Sequence, residues 1–386
     1  MDNTPNASGE PDDDPVELNR QDGRPDSLRA RISPWGLYLT HLWPDGQRDV
    51  VLGHADPDAR RADRQHLGCV VGRHANRIRN SAFALDGWRH ELGSNAGDHH
   101  LHGGHGGFGQ QPWRLTEQAA DRARFVLLSP HGQEGYPGNL QVTATLSLPA
   151  AQVLRLQLDA VTDAPTPVNL TWHPYFNLDG HKSGTAGSQR ILIEADHYLP
   201  MAEDFCPTGE ILAVDGTPFD LRGRDESGAE PAVDPATRVA ADDLSERPTD
   251  ADASGESGET ATPLPRNAGR IEDQLSSHHP QLRLAGGFDH CFVVSGTGLR
   301  RAARLESADG QLAMEVWSTQ PGIQFYTGNS LALDHGKDGA RYQARSGVCL
   351  ESQGFPDAPN HAHFPSTILR PGEVYHQVIE YRFEVR

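Results

Sequence analysis

Cysteine and long apolar runs are both scarce in this 386-residue chain. The four cysteines, Cys69, Cys206, Cys291 and Cys349, are widely spaced and form no C-x-x-C pair, which argues against a disulfide framework or a zinc ribbon. No apolar run approaches the roughly 18 residues that span a bilayer, and no apolar signal segment follows the first methionine. The sequence therefore predicts a cytoplasmic protein that contacts no membrane.

Positive charge is also low. Lysine and arginine together number 34 against 53 aspartates and glutamates, which gives a formal net charge of -19. A surface of this sign repels the phosphates of nucleic acids and the headgroups of anionic membranes. We therefore expect neither of them to be a partner.

Helical periodicity over ten or more residues is missing, whereas alternation with a period of two recurs along the chain. The segments 140–148 and 153–161 alternate apolar and polar side chains in this way. In the segment 83–92, an Asp-Gly pair separates two apolar runs, which is typical of a hairpin. The pattern predicts an all-β fold, a large antiparallel β-sandwich with few short helices.

Two segments hold too few apolar residues to contribute to a core. Residues 1–27 are rich in Pro, Asp, Asn and Gly, and residues from about 224 to 280 are acidic and contain no aromatic residue. Such compositions predict disorder. We therefore expect one ordered domain over 28–386, preceded by a disordered acidic tail and interrupted by a disordered acidic insertion at about 224–280.

One histidine, His173, lies in an apolar and aromatic segment between Trp172 and Pro174. An ordinary histidine pKa near 6.5 suits proton transfer at neutral pH. The structural alternative is a hydrogen-bonded histidine of the core. The segment alone leaves both interpretations open.

Two further segments carry groups that suit sugar hydroxyls or a metal ion. Asn76 and Arg77 offer a fork of donors to neighbouring hydroxyls, unless Arg77 forms a structural pair with a carboxylate. The segment 99–105 holds four histidines, which suggests a zinc, copper or nickel site. Its spacing lacks an H-x-x-x-H pair on a helix, so we favour a loop in which His102 binds substrate. A cluster of exposed histidines is the alternative.

Three polar residues lie within apolar segments of the C-terminal third. Asp289 begins the segment DHCFVV, and Gln324 lies between aromatic and aliphatic neighbours. Turn capping and ordinary strand hydrogen bonds are the structural alternatives for these two residues. Glu351 follows an apolar pair, and burial there would raise the pKa of its carboxyl towards the value that a general base needs.

Six phrases, in this order, resemble the aldose 1-epimerase (galactose mutarotase) family. They are GRHANRI, LHGG followed by GF, NLTWHPYFNL, GFDHCF, STQPGIQFYTGN and CLESQGFPDAPN, and they extend from Gly72 to Asn360. The resemblance implies a large antiparallel β-sandwich, the galactose mutarotase-like supersandwich. It also implies interconversion of the α- and β-anomers of free hexoses such as galactose and glucose, without a cofactor or a metal.

The resemblance further implies a role for each candidate residue. Glu351 matches the general base at the anomeric O1 hydroxyl, His173 the general acid at the ring oxygen, and His102 the second histidine near that oxygen. The residues that match the hydroxyl-binding set are Asn76, Arg77, Asp289 and Gln324.

The sequence departs from the family pattern next to His173. Trp172 and Pro174 stand where many members carry Asn and Ser, so we expect them to reshape the pocket. The aromatic residues expected to offer apolar faces to the sugar ring are Trp172, Tyr175, Phe325 and Tyr326. The alternative functions are a hexose 6-phosphate mutarotase, a non-catalytic sugar-binding module of the same fold and a zinc enzyme. The expected assembly is a monomer or a weak dimer.

Overall fold

Short strands recur through the part of the chain that the computed structural model describes, residues 13–20, 27–223 and 269–386. The strands of the first half, in chain order, are β1 (Val16–Asn19), β2 (Arg29–Ser33), β3 (Tyr38–Trp43), β4 (Val70–Val71), β5 (Arg77–Ile78), β6 (Ala82–Leu85), β7 (Trp88–Glu91), β8 (His100–Leu101), β9 (Arg114–Ala119), β10 (Arg122–Ser129), β11 (Leu140–Ala150) and β12 (Val153–Thr162). Those of the second half are β13 (Thr166–Pro167), β14 (Thr171–Trp172), β15 (Arg190–Ile193), β16 (Ala195–Tyr198), β17 (Leu212–Ala213), β18 (Asp289–Val294), β19 (Arg300–Glu306), β20 (Leu312–Ser318), β21 (Gly322–Tyr326), β22 (Cys349–Gln353), β23 (Ile368–Leu369) and β24 (Tyr375–Val385).

The helices are few and short. The described α-helices are α1 (Pro57–Arg61), α2 (Ile271–Leu275) and α3 (Pro280–Ala285), and the 3-10 turns are Arg79–Ser81, Phe108–Gln110, Gln133–Gly135, Lys337–Gly339 and Ala358–Asn360. No helix within the described ranges is long and apolar enough to cross a bilayer. The predicted all-β fold with few short helices is confirmed.

The larger of the two main sheets has eight antiparallel strands in the order β15-β19-β20-β24-β12-β11-β10-β9. Its central strands alternate as the sequence predicted: along β11, alternate side chains are buried. Leu146 of β11 lies opposite Leu156 of β12, and both side chains enter the main core. The period-two pattern therefore sets both the strands and the face that each presents to the core.

The second main sheet has five antiparallel strands in the order β17-β16-β18-β21-β22. One of its faces contributes Phe292, Phe325 and Leu350 to the same core that the eight-stranded sheet fills with Leu156 and Met314. The two sheets thus share one apolar core, as in a β-sandwich. The opposite face of the five-stranded sheet is free to carry polar side chains.

Small paired segments complete the structure. The strands β6 and β7 form the predicted hairpin, in which Asp86 and Gly87 both have positive φ values (49° and 83°) as a two-residue turn of this kind requires. A three-stranded sheet has the order β1-β2-β3, and the pairs are β4 with β14, β5 with β8 and β13 with β23. The pairs β4–β14 and β5–β8 hold distant parts of the chain side by side near the polar face described below.

The predicted boundaries of disorder are wrong at two places. Strand β1 lies inside the predicted tail, and its Val16 and Leu18 are buried because they pair with β2 and enter the main core. Helix α2 lies inside the predicted insertion, and its Ile271 is also buried in that core. Two or three apolar residues in a polar segment suffice to attach it to a core. Residues 1–12, 21–26 and 224–268 of the two predicted segments lie outside the described residues.

Candidate active site

Glu351 lies at the centre of β22, on the face of the five-stranded sheet that points away from the core. It pairs with Gln324 of β21, and its side chain is buried. Its Oε2 atom has no hydrogen-bond partner, and no lysine or arginine of the described chain forms an ion pair with it. Burial, with a smaller contribution from the charge of Asp289, raises the pKa of Glu351 well above its ordinary value. The carboxyl group therefore tends to hold a proton.

His173 follows β14 and lies against this carboxyl group. Its backbone N–H donates to the carbonyl of Cys69 (3.0 Å), and its Nε2 is 3.4 Å from Oε1 of Glu351. On the other side of the ring, Nδ1 is 3.5 Å from the Sγ atom of Cys349. Burial, with a smaller contribution from the neighbouring His66, lowers the pKa of His173 to about 3. Glu351 and His173 thus form a buried acid–base pair in which the neutral forms are favoured.

His102 follows β8 and adds a hydrogen-bond donor to this pair. The ring Nδ1 accepts the backbone N–H of Asn76 at 3.2 Å, and the backbone N–H of His102 donates to the Asn76 carbonyl at 3.1 Å. Burial holds the pKa of His102 well below its ordinary value, so the ring is neutral at pH 7. Because Nδ1 accepts a hydrogen bond in a neutral ring, Nε2 carries the hydrogen and can donate it.

The geometry of this trio alone would admit a metal ion. Ligand atoms of His102, His173 and Glu351 lie within 4.8 Å of one another. Zinc, however, needs a free lone pair on each imidazole nitrogen that it binds. The Nε2 atom of His102 carries hydrogen, so coordination there would break the bond from Asn76. The trio suits hydrogen bonding to oxygen better than it suits coordination.

The histidines of the segment 99–105 point to different surroundings. The Nε2 of His99 lies 3.7 Å from Asp204, and His100 is buried with its Nδ1 2.6 Å from the carbonyl of Gly93. His105 is exposed, and His102 enters the site. His99, Asp204 and Cys206 form a second close group, but the Nδ1 of His99 accepts the N–H of Asn80, so its Nε2 is also a donor. The four histidines do not converge on one ion.

The predicted hydroxyl-binding residues surround the trio. Asp289 and Gln324 lie on the same face as Glu351, and the amide nitrogen of Gln324 donates to Asp289 at 2.7 Å. The other amide atom of Gln324, Oε1, is buried without a partner. Burial raises the pKa of Asp289, while the nearby positive charge of Arg77 opposes the rise. Asn76 uses its Oδ1 to accept the N–H of Arg77 at 2.8 Å. Their contacts and their shared strand face bring these polar groups together beside the trio, and we call this region the cleft.

Two of the predicted aromatic faces are not in the cleft. Trp172 is fully buried, donates its indole N–H to the Leu37 carbonyl at 3.1 Å and belongs to the main core. Phe325 is buried in the same core, 5.0 Å from the ring of Phe288. Successive residues of a strand point to opposite faces, so the neighbours of His173 and Gln324 point away from the cleft. The prediction that Trp172 faces the sugar is therefore wrong.

The other two predicted aromatic residues do lie beside the site. The ring of Tyr175 is 5.2 Å from that of His173, and the ring of Tyr326 is 6.1 Å from that of Tyr175. Tyr326 is partly exposed. These two rings remain available as apolar surfaces of the cleft.

Sequence reasoning missed two residues of the cleft. The ring of His66 lies 4.6 Å from that of His102, and the ring of Phe205 lies 5.4 Å from the guanidinium carbon of Arg77. His66 precedes Leu67-Gly68 in a polar stretch, and Phe205 lies in a turn. Nothing in their local sequence distinguishes them from surface residues, because the fold brings their partners from distant segments.

Comparison with known proteins shows the family of this chain. The aldose 1-epimerase family model matches residues 21–382. The chain belongs to the aldose 1-epimerase family. It is 36% identical to the galactose mutarotase of Homo sapiens over 366 residues, which cover 93% of this chain and 92% of the relative. It is 34% identical to the aldose 1-epimerase of Escherichia coli K12 over 360 residues, 91% of each chain.

Solved structures agree with this assignment. An aldose epimerase homologue from C. elegans superimposes with a TM-score of 0.77 at 28% identity, covering 96% of this chain and 98% of the other. A galactose 1-epimerase from Lactobacillus acidophilus superimposes with a TM-score of 0.73 at 25% identity, with 97% and 99% covered. The predicted family and β-sandwich fold are confirmed.

Proposed function

We propose that this protein is an aldose 1-epimerase that interconverts the α- and β-anomers of free aldohexoses, with galactose and glucose as the expected substrates. The reaction opens the hemiacetal ring and closes it on the other face of C1. It requires one group to take the proton of the anomeric hydroxyl and another to protonate the ring oxygen. The protein needs to supply no more than these two groups and a site that orients the sugar.

Glu351 is the proposed base at O1, and His173 is the proposed acid at the ring oxygen. For ring opening, the proton that the pair shares must lie on His173, which leaves Glu351 as a negatively charged carboxylate. In the resting site burial favours the neutral pair, but transfer of one proton over the 3.4 Å contact converts one arrangement into the other. After O1 has lost its proton to Glu351 and the ring oxygen has gained one from His173, the pair holds its proton on Glu351. Ring closure reverses the roles.

The remaining residues are proposed to bind and orient the sugar. His102 donates its Nε2 hydrogen to an oxygen next to His173, which its tautomer supports. Asp289, Gln324, Arg77 and Asn76 bind the ring hydroxyls; the unpartnered Oε1 of Gln324 is a buried acceptor that a hydroxyl would satisfy. Tyr175 and Tyr326 offer apolar surface.

The observation that carries the proposal is the contact between Glu351 and His173. A buried carboxyl group that has no lysine or arginine partner in the described chain and lies against a buried imidazole is costly for the folded protein. The pKa of the carboxyl group is raised and that of the imidazole is lowered, so the two neighbouring groups hold one proton between them near neutral pH. This is the property that a reversible exchange between two sugar oxygens needs.

The decisive test is the decay of the optical rotation of freshly dissolved α-D-galactose and α-D-glucose. We expect the purified protein to accelerate the decay well above the rate in buffer alone, and EDTA to leave the rate unchanged. A decay no faster than that of buffer would refute the proposal. Calorimetric binding of galactose without acceleration would indicate a non-catalytic sugar-binding module instead.

A hexose 6-phosphate is less well supported as the substrate. Arg79, which follows Arg77 at the cleft, is engaged by the carboxylates of Asp204 at 3.1 Å and Asp357 at 3.9 Å. A phosphate would have to compete with these carboxylates for the cation. Comparison of galactose with galactose 6-phosphate in the same assay separates the two functions.

A small sugar is the partner that family membership indicates. The cytoplasmic location, the monomeric or weakly dimeric state and the absence of nucleic-acid or membrane partners remain proposals that rest on the charge and composition of the sequence. Light scattering across a range of protein concentrations tests the assembly state: a stable tetramer would contradict it.

A further inference from the structure

A third histidine lies against the two imidazoles of the site and has no part in the mechanism above. The ring centroid of His66 is 4.6 Å from that of His102 and 6.0 Å from that of His173. The rings of His102 and His173 are themselves 5.3 Å apart, so the three imidazoles form a triangle. His66 is partly exposed, which makes it accessible to a ligand in the cleft.

The turn that carries His66 is fixed by hydrogen bonds. The Asp63 carboxylate accepts the backbone N–H groups of Gln65 (2.8 Å) and Leu67 (2.7 Å), and the Tyr175 hydroxyl donates to the carbonyl of Gln65 at 3.0 Å. His66 itself has a φ of 54°, a left-handed backbone conformation that few non-glycine residues adopt. Because its neighbours on both sides are held, the ring stays beside His102 and His173.

One nitrogen of His66 is available to a ligand. Its Nδ1 lies 3.8 Å from the Sγ atom of Cys69, while its Nε2 has no hydrogen-bond partner among residues 13–20, 27–223 and 269–386. In a neutral imidazole one nitrogen donates and the other accepts, so Nε2 can bond to a hydroxyl in either sense. A hydroxyl group is therefore the chemistry that this atom fits.

The position of His66 relative to Glu351 indicates which hydroxyl. His102 and His173 form a close group with Glu351, but His66 is not a member of that group. The proposed function, on which this step rests, places the anomeric O1 at Glu351 and the ring oxygen at His173. In a pyranose the ring oxygen joins C1 to C5, and C5 of an aldohexose carries the hydroxymethyl group. His66 lies beside the site of the ring oxygen but is not part of the close group that contains Glu351. Its ring is therefore on the side of the sugar that carries C5, away from C1.

We propose that His66 is a specificity residue that binds the exocyclic 6-hydroxyl of aldohexoses through its Nε2 atom. The protein should then favour hexoses over 6-deoxy sugars and pentoses. The alternative is that His66 only packs against His102 and His173, in which case its loss affects every sugar alike. The two roles differ in how a substitution changes the discrimination between two sugars.

The test compares D-galactose with D-fucose, which is the same sugar without the 6-hydroxyl. In the variant His66→Phe, which keeps a flat ring but removes both nitrogens, we expect KM for galactose to rise about 10-fold. For fucose we expect KM to change by less than about twofold, because the lost bond was never made. His105→Phe is the matched control, since His105 is exposed and outside the site, and both sugars should behave as with the wild type.

The outcomes separate this inference from the proposed function. A wild type that accelerates neither sugar would overturn both. An active wild type whose His66→Phe variant loses the same factor with both sugars, or loses nothing with galactose, would overturn the role of His66 alone. If His66→Phe does not fold, His66→Asn decides by the same criterion, because asparagine tolerates positive φ and its shorter side chain removes the ring contact.

Discussion

Two buried glutamates on neighbouring sheets are treated in opposite ways by the fold. Glu380 of the eight-stranded sheet accepts hydrogen bonds from Arg155 (2.6 Å) and Arg382 (2.7 Å). Glu351 of the five-stranded sheet is equally buried, at 2% exposure against 1%, but no arginine or lysine of the described ranges pairs with it, and one of its oxygens has no hydrogen-bond partner. Burial removes water from both carboxyl groups, which costs free energy. Only for Glu380 is this cost offset by the attraction of opposite charges.

The same contrast extends to other charges of the eight-stranded sheet. Arg304 is almost completely buried there and is paired with Glu315 at 3.2 Å and Glu384 at 2.6 Å. In these two examples the buried charges of the eight-stranded sheet are neutralised by partners, whereas the carboxyl group of Glu351 is not. A buried carboxyl group without an opposite charge beside it is therefore a candidate functional position.

The largest effect is expected from removing the unpaired carboxylate. Glu351→Gln keeps the shape of the side chain but cannot take a proton from O1, so we expect kcat/KM for galactose to fall by about 10³-fold or more. The same change should raise the free energy of unfolding by about 1 kcal/mol at pH 7, since the cost of holding a carboxyl with a raised pKa disappears. Polarimetry and urea unfolding measure the two quantities.

Glu380→Gln is the matched control for that variant. It removes the partner of Arg155 and Arg382, so we expect it to lower the free energy of unfolding by about 2 kcal/mol and to leave kcat/KM unchanged. The contrast between the two glutamates would be contradicted if Glu351→Gln and Glu380→Gln both lowered activity, or if both changed the free energy of unfolding in the same direction.

The second largest effect concerns the imidazole of the pair. His173→Asn retains a polar side chain but cannot protonate the ring oxygen, so kcat should fall by about 10² to 10⁴, with galactose binding partly retained. Polarimetric kinetics and calorimetric titration with galactose give the two values. Unchanged kcat would remove His173 from the proton transfer.

A smaller effect is expected on stability as the pH falls. Burial lowers the folded pKa of His74, His173 and His290 to about 3, so the unfolded chain binds protons near pH 6.5 that the folded chain does not. Stability from these groups is complete above pH 6.5 and is lost as the pH falls towards 3. At pH 5.5 each histidine should cost about 1.4 kcal/mol relative to pH 7.5.

Urea unfolding at pH 7.5 and 5.5 measures this loss. Glu351 acts in the opposite direction, because its raised pKa destabilises the folded protein as the pH rises. The measurement is therefore made in Glu351→Gln, where that contribution is absent. Equal stability at the two pH values would contradict the neutral state of the buried histidines.

The smallest effect on activity is expected at Trp172. Because its indole lies in the core and bonds to the Leu37 carbonyl, Trp172→Phe should lower the free energy of unfolding by about 1 to 2 kcal/mol. Its kcat/KM values for galactose and glucose should stay within about twofold of the wild type. A change in the preference between the two sugars would contradict the placement of Trp172 in the core and would indicate that it contacts the sugar.

Much of the fold could be predicted from alternation alone. The period of two identified β11 and β12, because each of these strands alternates buried side chains with more exposed ones. The Asp-Gly pair identified the β6–β7 hairpin. Strand β1 and helix α2 could not be predicted, since their few apolar residues gain burial only from contacts with distant elements. Local composition does not report such contacts.

The candidate site was predictable only where the sequence carries a family pattern. The phrases around His102, His173, Asp289, Gln324 and Glu351 pointed to residues that the fold does gather in one cleft. The closeness of Trp172 to His173 in the sequence suggests that its side chain faces the sugar. Strand alternation instead directs the side chain into the core, where the structure has it. His66 belongs to no phrase, and its place beside His102 depends on a turn held by Asp63.

The most direct test of the acid–base pair is the pH dependence of kcat/KM for galactose, corrected for the uncatalysed rate at each pH. The active form holds one proton on the pair, so kcat/KM should be level across pH 6.5 and should fall only where the pair loses that proton. The rate is measured over the pH range in which tryptophan fluorescence reports a folded protein. An acidic limb near pH 6.5, the ordinary value of histidine, would contradict the buried neutral pair.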